Sequence, residues 1–256
     1  MFRESGNSHK LKKTVRIMDK ILKITTAVLI LGIIGFGSYL SWIWFAAYAY
    51  HSSQNGTFSY SLNITTDSPI TNMTLFIPVP ESRGGNSFVI EQFSSHSIGG
   101  IPPGWETTLY STGKSTLVKI TAHTINLPNG TTPQNPYNVA IAVQNSGPFI
   151  IETKSPLEQG IMFRSIENEK NSSCPTGVNG DCYSYDIPVY ADYIAPAGSH
   201  VAIASSFTGR NDWKILEPDS NEFYTDFSLS LTGEHHGWAQ AQGMIAEGIG
   251  SYNYPA

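Results

Sequence analysis

The densest group of metal-type side chains in this 256-residue chain is Glu234-His235-His236, near its end. Imidazoles suit zinc or copper, and a neighbouring carboxylate strengthens such a site. What the group can do depends on the element beneath it. On a strand, successive side chains point to opposite faces, so adjacent histidines do not share one ion. In a turn they can. Glu234, His235 and His236 are thus weak metal candidates, and a solvated turn is the simpler reading. His51, His96, His123 and His200 are scattered, with no H-x-H or H-x-x-x-H spacing, so no metal site and no cofactor is assigned.

Other chemistry-bearing runs fare similarly. Gly113-Lys114-Ser115-Thr116 ends like a phosphate-binding loop, but Thr108 stands where that motif needs its first glycine, and a hairpin turn is expected. Glu167/Glu169 and Asp219/Glu222 have the residue types of glycoside hydrolysis or calcium binding, and Asn179-Gly180-Asp181 offers further oxygens. All lie in polar, turn-like stretches and read as loop charge in water. No Gly-x-Ser-x-Gly elbow occurs, so no catalytic residue is assigned. Trp105, Trp213 and Trp238, with many Tyr and Phe, suit either a sugar-stacking platform or an ordinary β core, and core is expected.

The elements that must position these residues begin with a charge-free run. No Asp, Glu, Lys or Arg lies between Lys23 and Asp67, and the stretch from Ile24 to Tyr50 is nearly all apolar. About 20 apolar helical residues cross a bilayer core. Residues 1–23 hold seven Lys or Arg against Glu4 and Asp19, which places that end in the cytoplasm. Trp42, Trp44, Phe45, Tyr48 and Tyr50 crowd the far end, where rings favour the headgroup layer. The expected order is a basic cytoplasmic tail (1–23), a transmembrane helix (24–50) and an extracytoplasmic β-rich domain (51–256). Leu11, Val15, Met18 and Leu22 are spaced for a helix continuous with the span. Ala47-Tyr48-Ala49 has the form of a signal-peptidase site, but the long core and long basic tail favour a retained signal-anchor.

The whole chain carries 15 basic and 20 acidic residues. Setting aside the tail's seven and two leaves eight and 18, a net charge of −10 for the exported part. So acidic a domain does not hold nucleic acid through phosphate contacts. Its two cysteines, Cys174 and Cys182, are expected to form a disulfide in an oxidising compartment. Asn55, Asn63, Asn72, Asn129 and Asn171 each open an Asn-x-Ser/Thr triplet and are candidate glycosylation sites.

Within the exported part, Phe58, Tyr60, Leu62 and Ile64 alternate with polar residues, as do Leu75, Ile77 and Val79. Further strands are expected at 87–93, 105–111, 115–125, 137–144, 148–153, 160–165, 183–194, 200–208 and 212–217. Phe223, Thr225, Phe227, Leu229 and Leu231 begin a C-terminal hairpin. Its second arm, Gly237 onward, is read as a strand because Gly243, Gly248 and Gly250 speak against a helix. The fold class is mainly β, an antiparallel sandwich or jelly-roll-like domain behind one N-terminal transmembrane helix. Residues 126–136 are the candidate boundary should there be two sandwiches, and one domain is expected.

The basic tail, the single span, and the runs T-L-F-I-P-V-P, S-F-T-G-R-N-D-W and L-T-G-E-H-H-G-W together resemble membrane-anchored envelope proteins of methanogenic archaea. The resemblance covers about Thr57 to Tyr252 and implies a location and a fold, with no catalytic residues. The expected function is a structural or binding role at the cell envelope, with the bilayer and an envelope glycan or envelope protein as partners. An exported hydrolase acting on polysaccharide or peptide is the alternative.

Overall fold

The computed structural model describes residues 7–252, with backbone alone for 7–17. The first six residues of the expected tail and the last four of the expected β domain lie outside that range. The chain divides into two units, one helical and one, Ser53–Asn253, of β-sheet.

The helical unit is α1, Asn7–Ser53, 47 residues without a break. Met18–Ser53 contains an 18-residue stretch with a mean hydropathy of 2.0, and the helix is long and apolar enough to cross a membrane. The Thr25 and Thr26 hydroxyls donate to the Ile21 and Leu22 carbonyls one turn back, so neither is left unpaired in an apolar medium.

The β unit is mostly one antiparallel sheet curled into a half-barrel. Its strands are β1 (Asn55–Thr66), β2 (Ile70–Pro78), β4 (Trp105–Ser111), β5 (Thr116–Ile125), β6 (Tyr137–Gly147), β8 (Glu167–Asn171), β9 (Asp181–Ile194), β10 (His200–Lys214), β11 (Pro218–Thr232) and β12 (His235–Gly250). Across the sheet the order is β4-β5-β2-β9-β12-β11-β10-β1-β6, with β8 also against β9. A two-stranded ribbon, β3 (Pro80–Glu81) with β7 (Met162–Phe163), stands apart. Residues 126–136 divide nothing, because Ser53–Asn253 is one compact unit.

Alternation sets the inner face. Tyr60, Leu62 and Ile64 of β1 are buried, as are Phe223, Thr225, Phe227 and Leu229 of β11. Phe58 stacks on Phe88, Phe149 and Phe207 at 5.5–5.9 Å between centroids. Phe163 of the ribbon meets Phe207 and Phe227 edge-on. The hollow of the half-barrel is thus filled by rings from six separate segments of the chain.

Four expectations need correction. Residues 87–93 are not a strand but form a helix, α2 (Phe88–Ser94), started by the Ser87 hydroxyl accepting the Ile90 N–H. Val89 and Phe93, one turn apart, bury their side chains, and α2 packs against both edge strands, β4 and β6. Residues 200–208 and 212–217 are not two strands, since β10 runs unbroken to Lys214. Gly209, which reads as a break, makes room for Phe223: a Cβ there would lie 2.3 Å from that ring. The expected strand at 160–165 is reduced to Met162–Phe163.

The stretch 148–153 is not a strand either, and the reason is chemical. The Asn211 carboxamide accepts the Ile151 N–H and donates to the Ile151 carbonyl, both at 2.8 Å. One side chain therefore does what a neighbouring strand would do. Asn211 also donates to Asn221 Oδ1, which accepts the Thr153 hydroxyl at 2.7 Å. All three side chains are buried, so removing any of them costs the others a hydrogen bond that water does not readily replace. Asn211→Ala should destabilise the protein by about 2–4 kcal/mol, leaving both Ile151 backbone groups unmet and Asn221 Oδ1 with one donor fewer. Thermal unfolding of the intact protein in detergent checks this, and an unchanged midpoint would show that water replaces the carboxamide.

Candidate functional site

The sequence-level candidates do not converge. His235 and His236 lie on β12 and face opposite ways. His236 points outward, its Nδ1 2.7 Å from Asp192 Oδ1 on β9. His235 points inward beside Tyr193, with ring centroids 6.5 Å apart. Its Nε2 and the Tyr193 hydroxyl are both buried without a hydrogen-bond partner, and burial pushes the Tyr193 phenol up to about 12. Glu234 is exposed on the preceding turn. Among the described residues no three His, Cys, Asp or Glu side chains are grouped to hold a metal.

Asp219 and Glu222 lie on β11, where Glu222 is 3.4 Å from Arg210. Glu167 and Glu169 lie on exposed β8. Cys174 and Cys182 form a disulfide. Of the three tryptophans, Trp213 is buried and Trp105 packs against the core, as expected, while Trp238 is 59 % exposed on the outer face. Asn72, Asn129 and Asn171 are exposed and Asn55 and Asn63 half-buried.

A different set of residues comes together. Gly113-Lys114-Ser115-Thr116 lies at the hairpin between β4 and β5, with Gly113 at φ +78°. Facing it is the Ser82–Asn86 turn, closed by the Gly85 N–H on the Ser82 carbonyl at 3.0 Å. Between the two turns runs an open groove of about 790 Å³, carrying Arg83, Lys114 and Arg164. It is framed by two side chains that are already tied to the backbone around it. Glu81 is buried, one carboxylate oxygen accepting the Thr116 N–H at 2.9 Å and the other the Thr116 hydroxyl at 2.6 Å. Arg164 donates to the carbonyls of Glu81, Leu157 and Gly160. Burial lowers the Arg164 pKa, and the nearby Arg83 charge adds to that. Arg83 and Lys114, by contrast, are exposed and, among the described residues, pair with no carboxylate.

Lys114, Ser115 and Arg164 also line a second hollow, which continues over Leu117 and Pro188 to Trp238. Ser165 lines it too, its hydroxyl buried with no hydrogen-bond partner. Glu167 is the one carboxylate there. From Trp238 a row of rings crosses the outer face: Trp238, Tyr190, Phe76 and Tyr110, with centroids 5.4–5.5 Å apart and each ring edge-on to the next. Trp238 opposes Tyr190 in register, and Tyr190 opposes Phe76. Lys119 opposes Phe76 on the other side and holds its ammonium 5.9 Å from that ring.

Groove and row form one strip on the outside of the sheet. It holds Arg83, Lys114, Lys119 and Arg164, half of the eight cations that follow Lys23. Nothing local in the sequence joins Arg83 to Arg164 or Phe76 to Trp238. Only the strand register does.

Comparison with protein-family models, with curated proteins and with solved structures finds no match for this chain.

At the other end of β12, Glu247 stands opposite Asp181 on β9. It is 9 % exposed, and one carboxylate oxygen has no hydrogen-bond partner among the described residues. Burial first, then the charges of Asp181, Glu169, Glu158 and Glu152, push its carboxyl up to about 7. The folded protein thus holds a proton there between about pH 4.5 and 7 that the unfolded chain releases, and stability falls as pH rises through that window. Glu247→Gln should flatten this slope and gain about 1–2 kcal/mol at pH 8, the full shift being discounted for solvent screening. At pH 4 it should gain nothing. Unfolding midpoints of both proteins at the two pH values test it, and parallel pH profiles would contradict it.

Proposed function

We propose that this protein is a single-pass, membrane-anchored envelope protein whose β domain lies outside the cytoplasmic membrane and works by binding. The carrying observation is the strip: cations and exposed rings held on the outer face of a sheet whose core is already filled. A rigid sheet that presents free donors and aromatic faces is suited to recognition. The envelope proteins that the chain resembles have the same implied location. The seven basic residues before the span favour a cytoplasmic N-terminus, and the disulfide favours an oxidising compartment for the domain. There the five Asn-x-Ser/Thr triplets are open to glycosylation.

Membrane-impermeant maleimide applied to intact cells tests the topology. Asn145→Cys, on an exposed part of β6, should label, and Ser5→Cys in the basic tail should stay protected until the membrane is opened. The reverse pattern would reject the orientation. Hydrolysis of polysaccharide or peptide by the purified protein, lost in Glu234→Ala or His235→Ala, would replace binding with catalysis.

A further inference from the structure

From the strip we infer the class of ligand: an anionic polysaccharide, an acidic or sulfated sugar chain lying across the outer face from the Arg83–Lys114 groove to the Trp238–Tyr110 row. The inference rests on the binding function proposed above and deepens it.

Charge complementarity is the first support. The domain is strongly acidic, yet the groove holds Arg83, Lys114 and Arg164 against two carboxylates, Glu81 and Glu167. Glu81 is buried and saturated by Thr116. Arg164 is tied to three backbone carbonyls, which holds the groove wall in place. That leaves Arg83 and Lys114 free to meet an anion, with donors in a geometry that carboxylate or sulfate oxygens accept.

The second support is the kind of surface around those cations. Ser82, Ser111 and Ser115 line the groove, and Ser165 adds a buried hydroxyl with no partner. These are groups for a ligand dense in hydroxyls. A protein partner would instead call for a desolvated apolar anchor pocket.

The third support is the row of rings. Trp238 and Tyr110 end it and are 59 % and 54 % exposed, so each offers a ring face to the apolar C–H side of a sugar. Phe76 and Tyr190 between them are held edge-on by their neighbours and keep the end rings fixed. Cations flank the row of rings, with Lys119 beside Phe76 and Lys114 in the hollow that reaches Trp238. A chain with both apolar faces and acidic groups matches that combination of rings and cations. Single-stranded nucleic acid also combines rings and charge, but its dense phosphates suit a basic protein rather than this acidic one.

The test uses the full-length protein in detergent, titrated with polygalacturonate, with a neutral glucan of similar length, and with oligothymidylate. Calorimetry reports binding, with the change in total tryptophan fluorescence as a second signal for the proteins that keep Trp238. Saturable binding of polygalacturonate is expected, weakened by added salt. The double variant Arg83→Ala/Lys114→Ala should weaken it at least about tenfold, and Trp238→Ala roughly three- to tenfold. Arg83→Lys/Lys114→Arg should retain it, which separates charge from damage to the fold. Equal binding of the neutral glucan, indifferent to the charge variants, would overturn the anionic class and leave the binding function standing. Tighter binding of oligothymidylate through the same residues would overturn the sugar in favour of nucleic acid. Capture of one envelope protein with no carbohydrate bound would likewise overturn the inference alone. Release of new reducing ends from polygalacturonate would instead overturn the binding function and keep the ligand class.

Discussion

A sheet that curls without closing must have its hollow filled and its open side covered, and most of this domain follows from that constraint. The inner faces of the strands supply aliphatic side chains, but the middle is wide enough that aromatic rings do the filling. Phe58, Phe207, Phe223 and Phe227 project from the sheet, while Phe88, Phe149 and Phe163 come from segments outside it. Helix α2 packs between the two edge strands. Edges left bare would invite pairing with other chains, so this cover also protects solubility. The ribbon that delivers Phe163 must itself be held, and Arg164 and Glu81 hold it. The groove is the outer surface of that tie.

Core and candidate site are thus coupled through a few polar side chains. Glu81 reaches from the ribbon to β5, and Arg164 gathers the carbonyls of Glu81 on the ribbon and of Leu157 and Gly160 in the segment before it. Buried charge is costly unless every lone pair and proton is used, and here the Glu81 oxygens are both occupied. On the far side, the Asn211–Asn221–Thr153 group plays a similar part for residues 148–153. Both cases replace backbone ladders with side-chain donors and acceptors.

Those substitutions mark where sequence reading succeeds and fails. Strict alternation in β1 and β11 is visible because each buries one face, and α1 is visible because no charge interrupts it. The C-terminal arm is read correctly as a strand, since Gly243 lies under Tyr185, where a Cβ would come within 2.4 Å of the ring. By contrast, 148–153 has the composition of a strand and an extended chain, but its partner is a carboxamide 60 residues away. Residues 88–94 are rich in strand-type side chains, yet a serine cap and the Val89–Phe93 spacing win once the helix finds the sheet edges. At the site, Lys114 is noticed for a motif it does not complete. Its true neighbours, Arg83 and Arg164, belong to other loops and carry no motif at all. Trp238 is grouped in the sequence with tryptophans that turn out to be core.

The outward row has one more consequence, for how this protein can change over generations. Each of its four rings faces outward only because its strand is in register with the next. A point substitution at any one removes one ring. An insertion or deletion of a single residue within these strands turns a ring into the hollow and an aliphatic core residue into water. Variation in this face should therefore accumulate by replacement, while changes of length are confined to the hairpin tips.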